Sequence, residues 1–380
     1  MRARVLCGLD QLNEFDGLLH GMRLGLITHP AAVNSNMRGC VDILHEKYHL
    51  TALFGCEHGI RGVLQAGEFV SAYEDPETGV PVYSLYGQNT RLTAEMLNAF
   101  DVLVFDMQDV GARFYTYLYS LAYALEACNA AGKRVIVLDR PNPVGGIAVQ
   151  GTMLDEDFHS FVGEYALPTR YGLTIGEYAR WVRHHLGLKV ELHIAPLRNW
   201  QRQQYLDDTF PPWVAPSPNC PTLASVLAFQ GTCVFEGTNL SEGRGTANPF
   251  ELIGAPWADG IRLASRLNTL ALPGIGFRPA CFTPTFSKHQ GVLCQGVQMH
   301  ILDRYKANSF AAGMMLLEAV KEQHADCFQW LGDERGFHID RILGGDDYRT
   351  GRLDARGLIE KHKPLLAEFA KQKKDFELYQ

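Results

Sequence analysis

Four apolar runs of strand length in the first half of the chain, separated by helix-length stretches, restrict its fold more than any other feature. They are "RLGLITH" (23–29), "TALFGC" (51–56), "DVLVFDM" (101–107) and "KRVIVLDR" (133–140), each bounded by turn residues. Between them lie residues 38–48 and 115–131, the latter with Leu118, Leu121, Ala122 and Leu125 at helical spacing. Strand, helix, strand repetition implies an α/β domain with a parallel sheet covered on both faces.

In an open parallel sheet, ligands bind in the crevice at the carboxyl ends of the strands. Here those ends carry Thr28-His29, Glu57-His58, Asp106 to Asp109 and Asp139-Arg140. Four strand ends converging on ionisable groups argue for a site, because an ordinary surface turn has no need of charged counterparts.

Further along, "LTIGEYARWVRHHLG" opens with the capping box Thr174 and Glu177 and offers Gly187 as a stop, so it predicts a helix. Residues 207–222, "DDTFPPWVAPSPNCPT", hold five prolines and read as a linker or a rigid cleft wall. Beyond them come a helical pattern at 222–229, a Gly-rich polar segment, a strand within "GVLCQGVQMHILD" (291–303) and a helix from Ser309 to about Val320. The 380 residues exceed what one hydrophobic core usually organises, so two domains are expected: 1–220, and a smaller α/β or α+β domain over 221–380.

A net charge of −7, with no run of five or six Lys and Arg, argues against nucleic acid as partner. No stretch approaches 18 consecutive apolar residues, and "MRARVLCGLDQLNEF" lacks the uninterrupted apolar core of a signal peptide. Nine scattered cysteines without a C-x-x-C pair suit free thiols in a reducing compartment. The expectation is a cytoplasmic protein, or an exported one if a leader was removed.

The densest polar segment is "FEGTNLSEGRGTANPFE" (235–251). Its glycines let backbone N–H groups approach a ligand, while Glu236, Asn239, Glu242 and Arg244 supply directional donors and acceptors. Trp257, in "GAPW", adds an aromatic face suited to a sugar ring. In "GCEHGIRG" (55–62), Glu57 with His58 fits general acid–base work, whereas Arg61 favours the carboxylate and also fits a plain loop-stabilising pair. "DMQDVGARFYTY" (106–117) presents Asp106, Asp109, Arg113 and Tyr115; two acids are too few for a metal cage, which favours hydrogen bonding to hydroxyl groups. In "DRPNPVGG" (139–146) the Pro-Asn-Pro turn fixes Arg140 and Asn142 in the crevice, or serves as a rigid turn only. A G-x-S-x-G elbow, a Walker loop and a G-x-G-x-x-G after the first strand are all missing, which weighs against a serine hydrolase or a nucleotide-dependent enzyme.

Together and in this order, "EHGIRG", "DMQDVGARFYTY", "DRPNPVGG", "LPTRYGLTIGE", "SPNCPT", "FEGTNLSEGRGTANPFELIGAPW" and "FSKHQGVLCQGVQ" resemble the NamZ-type exo-β-N-acetylmuramidases. The resemblance implies a Rossmann-like domain with a smaller C-terminal domain and an active site in the cleft between them, without metal or nucleotide cofactor. It implies a bacterial glycoside hydrolase of peptidoglycan recycling that releases N-acetylmuramic acid from the non-reducing end of β-1,4-linked MurNAc-GlcNAc fragments. Such hydrolysis needs one acid to protonate the leaving oxygen and a second group to attack the anomeric carbon or activate water. Glu57 is then the acid or acid/base, with Glu236 or Glu242 as the second carboxylate. Arg61, Arg113, Arg140 and Arg244 are candidates for the lactyl carboxylate, for which a bidentate guanidinium is suited. Asp106, Asp109, Asn219 and Asn239 address hydroxyl and acetamido groups, and His58, Tyr115, Asn142 and Trp257 complete the expected site. A non-catalytic muropeptide-binding protein with the same cleft is the alternative.

Overall fold

The computed structural model of the chain describes residues 4–57, 59–61, 73–87, 89–209 and 213–380; His58 lies outside the described residues. The strands in chain order are β1 (Arg23–Thr28), β2 (His49–Gly55), β3 (Tyr73–Glu74), β4 (Pro81–Ser84), β5 (Val102–Asp106), β6 (Arg134–Leu138), β7 (Gln150–Met153), β8 (Pro168–Arg170), β9 (Leu192–Ala195), β10 (Leu252–Ala255), β11 (Ile275–Phe282), β12 (Cys294–Ile301) and the short pair β13 (Gly332–Asp333) and β14 (Gly336–Phe337). A seven-stranded sheet runs β3-β4-β2-β1-β5-β6-β9. Its pairs are parallel except for β3 against β4 at one edge.

Alternation along each strand divides the side chains between two faces. Val102 and Val104 of β5, with Ile136 and Leu138 of β6, pack with Val41, Ile43 and Leu44 of the helix Cys40–Lys47. Leu103 and Phe105, with Val135 and Val137, pack instead with the helices Tyr117–Ala130 and Ile175–His185. The four apolar runs thus form the middle of a sheet buried on both sides, as their composition predicts. The short strands β4 and β9 escape the sequence reading because four residues carry too little pattern.

The chain runs outward from β1 through β2 to β4, then returns to the other side of β1 for β5, β6 and β9. The strand order therefore reverses between β1 and β5, and a crevice opens at their carboxyl ends. Thr28 lies level with both Gly55 and Asp106, so the ends of β1, β2 and β5 share one rim.

The smaller unit is α+β. Its antiparallel sheet runs β10-β12-β11, and the helices Leu223–Thr232, Gly260–Thr269 and Ser309–Gln323 contribute to one core with it. The first and last of these helices approach so closely that a Cβ on Gly231 would stand 1.7 Å from the Ser309 carbonyl oxygen. The large sheet uses residues before 196 and the small one residues after 251.

Two sets of contacts are among those that fasten the units together. The fully buried Arg113 guanidinium donates to the carbonyls of Thr152 (2.9 Å), Leu167 (2.8 Å) and Ile342 (2.7 Å). Burial lowers its pKa to about 10, which leaves it protonated at neutral pH. After the helix Ala355–Gln372, the chain also returns to the large unit. There the Leu378 N–H donates to Glu177 at 2.8 Å, and the Arg202 N–H to the Gln380 carbonyl at 2.9 Å. Glu177 is the capping residue expected from the sequence, bonded reciprocally with Thr174. It is also the buried partner of Arg202, at 2.6 Å. Arg202→Met strands that carboxylate and is expected to lower the unfolding free energy by about 3–5 kcal/mol. A thermal midpoint equal to that of the parent chain would show that the pair does not contribute.

Candidate active site

A cavity of about 200 Å³ lies where the carboxyl rim of the large sheet meets the small unit. The large unit contributes Glu57 and Tyr86, the turn after β5 contributes Tyr115, and the Pro-rich segment contributes Asn219. The Gly-rich loop contributes Glu236, Arg244 and Phe250. Segments far apart in sequence thus meet at one half-open space.

Glu57 stands two residues beyond β2, in a turn closed by the Gly59 N–H on the Cys56 carbonyl at 3.0 Å, with Gly59 at φ +71°. Its Oε1 accepts from the Tyr86 hydroxyl at 3.2 Å. Burial, with the Glu57 charge beside it, pushes the Tyr86 phenol up to about 12, so it remains a donor at neutral pH. Tyr117 holds the same turn from below, its hydroxyl donating to the Pro216 carbonyl at 3.0 Å and lying 3.4 Å from the Glu57 carbonyl.

Arg61 is turned to other work. It forms a fork on Asp75, at 3.0 and 2.8 Å, with Asp42 at 3.6 Å, and does not line the cavity. Arg140 and Asp106 are buried and paired with each other, Nη2 to Oδ2 at 2.9 Å, and the arginine also donates to the Val33 carbonyl. Arg113 is consumed by its three carbonyls. Of the four arginines named from the sequence, Arg244 is the one on the cavity wall.

Glu236 lies in a short 3₁₀ turn, Cys233–Gly237, and pairs with Arg244. Glu242 lies beneath, 2% exposed, with Arg244 Nε at 3.0 Å and Lys288 Nζ at 2.8 Å. The two carboxylates thus separate into one that faces the cavity and one that anchors the arginine. Gly243 and Gly245 both adopt φ +78°, and a Cβ on Gly245 would stand 2.7 Å from the Phe286 nitrogen. The loop can take this path only with glycine at those positions. Phe250 holds φ +65° without that freedom, and its ring lies 5.0 Å beneath the Arg244 guanidinium. Such strain is retained where the surroundings over-determine it.

Among the remaining sequence candidates, Asn219 and Tyr115 line the cavity. Asn142 braces its own turn, bonding the Leu173 carbonyl at 2.8 Å and the Val144 N–H at 3.1 Å. Asn239 clamps the Cys327 carbonyl and the Gln329 N–H, and Trp257 packs against His324 with ring centroids 5.4 Å apart; neither reaches the cavity. Asp109 is buried, accepting from the Gly111 N–H at 2.6 Å and from the Tyr171 hydroxyl. Among the described residues, no group of three or more His, Cys, Asp or Glu is arranged to hold a metal ion. Tyr86, Phe161 and Lys288 were not singled out from the sequence. Tyr86 follows a strand too short to recognise, and Phe161 reaches the cavity from the β7–β8 connection, whose pairing is non-local.

The arrangement is that of a two-unit α/β enzyme with a carboxylate from each unit lining one cavity. The N-terminal domain of exo-β-N-acetylmuramidase NamZ matches residues 24–224, and its C-terminal domain matches residues 227–379. The chain is 44% identical, over its whole length and 92% of the relative, to the peptidoglycan β-N-acetylmuramidase NamZ of Bacillus subtilis strain 168. Two crystal structures of DUF1343 family proteins from Bacteroides fragilis NCTC 9343 share the fold. One has a TM-score of 0.92 at 33% identity, each chain covered in full. The other has a TM-score of 0.77 at 27% identity, covering 100% of this chain and 99% of its own. The chain belongs to the NamZ exo-β-N-acetylmuramidase family and is a glycosidase.

Desolvation raises the Asp109 carboxyl to about 6. A raised carboxyl favours the folded state fully below its unfolded pKa, and that contribution is lost as pH rises through about 6. At roughly 1.4 kcal/mol per pH decade, the loss between about pH 4 and pH 7 is of the order of 3 kcal/mol. Asp109→Asn is expected to flatten that slope in urea unfolding measured at the two pH values. An unchanged slope would assign it to other groups.

Proposed function

We propose that the chain releases N-acetylmuramic acid from the non-reducing end of β-1,4-linked MurNAc-GlcNAc fragments, as the name of its curated relative suggests. The observation that carries this reading is the pair Glu57 and Glu236, brought from different units to one cavity. Glu57 touches a neutral hydroxyl and no cation among the described residues, which suits an acid or acid/base that protonates the leaving oxygen. Glu236, ion-paired with Arg244, suits the second carboxylate that attacks the anomeric carbon or activates water.

Arg244 keeps N–H groups beyond those facing its two glutamates, which suits a charge-assisted contact with the lactyl carboxylate. Tyr115 and Asn219, which both line the cavity, suit hydrogen bonding to the acetamido group and ring hydroxyls. A cavity of about 200 Å³ is smaller than the roughly 300–1,000 Å³ that holds larger ligands, which favours one terminal sugar over an internal stretch of glycan. The nine free cysteines, seven of them buried, are consistent with a reducing compartment.

Hydrolysis of a chromogenic β-MurNAc glycoside tests the reading. Glu57→Gln and Glu236→Gln are each expected to lower kcat by at least ~10²-fold with an unchanged thermal midpoint. Glu242→Gln is expected to lower the midpoint as well, because it releases two half-buried cationic partners. A loss below about fivefold removes that carboxylate from the chemistry, given the ~10²-fold a positioned acid or base contributes. Sugar binding without any release would leave a binding protein.

A further inference from the structure

The loop after β11 carries "FSKHQ" (286–290), a stretch that the reaction as described above leaves without a role. It is built as a clamp on the Gly-rich loop. The Thr285 N–H and hydroxyl both reach the Gly245 carbonyl at 2.9 Å, and His289 Nε2 stands 2.7 Å from the Asn239 carbonyl. Between these two points Lys288 Nζ donates to the carbonyls of Phe235 (2.7 Å) and Thr238 (2.9 Å) and pairs with Glu242 at 2.8 Å. One ammonium thus grips the backbone on both sides of Glu236 and the carboxylate that holds Arg244. Its neighbours Ser287 and His289 have φ of 68° and 59°, in the left-handed region that non-glycine residues avoid. Backbone strain on both sides of one side chain marks a place where geometry outweighs local stability.

We propose that Lys288 is a positioning residue that fixes where Glu236 and Arg244 stand, and that it thereby sets the preference for a sugar bearing a carboxylate. The inference rests on the assignment of Arg244 to the lactyl group. Glu236, Glu242, Arg244 and Lys288 form a cluster of two negative and two positive charges. Without the ammonium, the buried Glu242 retains Arg244 as its only cation and draws the guanidinium away from Glu236 and the cavity.

Calorimetric dissociation constants for N-acetylmuramic acid and N-acetylglucosamine, which differ by the lactyl group, test the proposal in the parent chain, Arg244→Met and Lys288→Met. The parent is expected to prefer the muramic sugar by roughly 10-fold or more, as a charge-assisted contact provides, and both variants to fall to within about threefold of parity. General loosening of the fold weakens both sugars in proportion and leaves their ratio unchanged, so a retained ratio in Lys288→Met overturns the positioning role. A parent without preference, or Arg244→Met with the parent's ratio, withdraws the Arg244 assignment and this proposal with it. Should Lys288→Met not fold, Lys288→Gln keeps donors for the two carbonyls without the charge, and the same comparison decides.

Discussion

Parallel pairing is the constraint on which the rest of the molecule depends. A strand that must lie parallel to its neighbour has to return by a crossover, so every such strand ends at the same edge of the sheet. With Thr28, Gly55 and Asp106 in level register, the polar residues after β1, β2 and β5 are pressed into one narrow rim. A charge in that rim has little water and must find a partner. Asp106 takes Arg140, and Asp109 takes a tyrosine hydroxyl and an N–H. Arg61 takes Asp75 at the flank. Glu57 stands apart from these internal settlements, facing the cavity with a phenol for company.

That distinction explains what the amino-acid sequence could and could not reveal. The inner strands and the capped helix Ile175–His185 were legible because several consecutive residues share one environment. The rim was legible as polar, and the Gly-rich loop as a place of close approach. Which rim charges neutralise one another was not, since pairing is decided by strand order and register. Three of four candidate arginines are spent on internal partners, a fact that no spacing rule contains. Glu236 and Glu242 look alike in sequence, but one sits on a 3₁₀ turn at the cavity while the other is folded beneath Arg244. In the smaller unit, β10 is four residues long and β11 contains Pro279, so neither showed a clear strand pattern.

The Gly-rich loop shows how local strain and long-range contacts share one task. Gly243 and Gly245 allow a path that other residues would block, and Phe250 accepts an unfavourable backbone to place its ring under Arg244. The loop after β11 bonds this same segment at Phe235, Thr238, Asn239 and Gly245. The cost of order in a polar segment is therefore met by groups well over thirty positions away in the chain, a common reason for sites to sit where elements of distant sequence converge.

The return of the last residues to the large unit has a topological consequence. Leu6 is bonded to Arg198 at 3.1 Å and Gln380 to Arg202 at 2.9 Å, so both chain ends are moored to one short stretch of the large unit. The chain thus passes from the large unit into the small one and back again, at two junctions. Any widening of the crevice therefore has to bend the chain at both of these junctions.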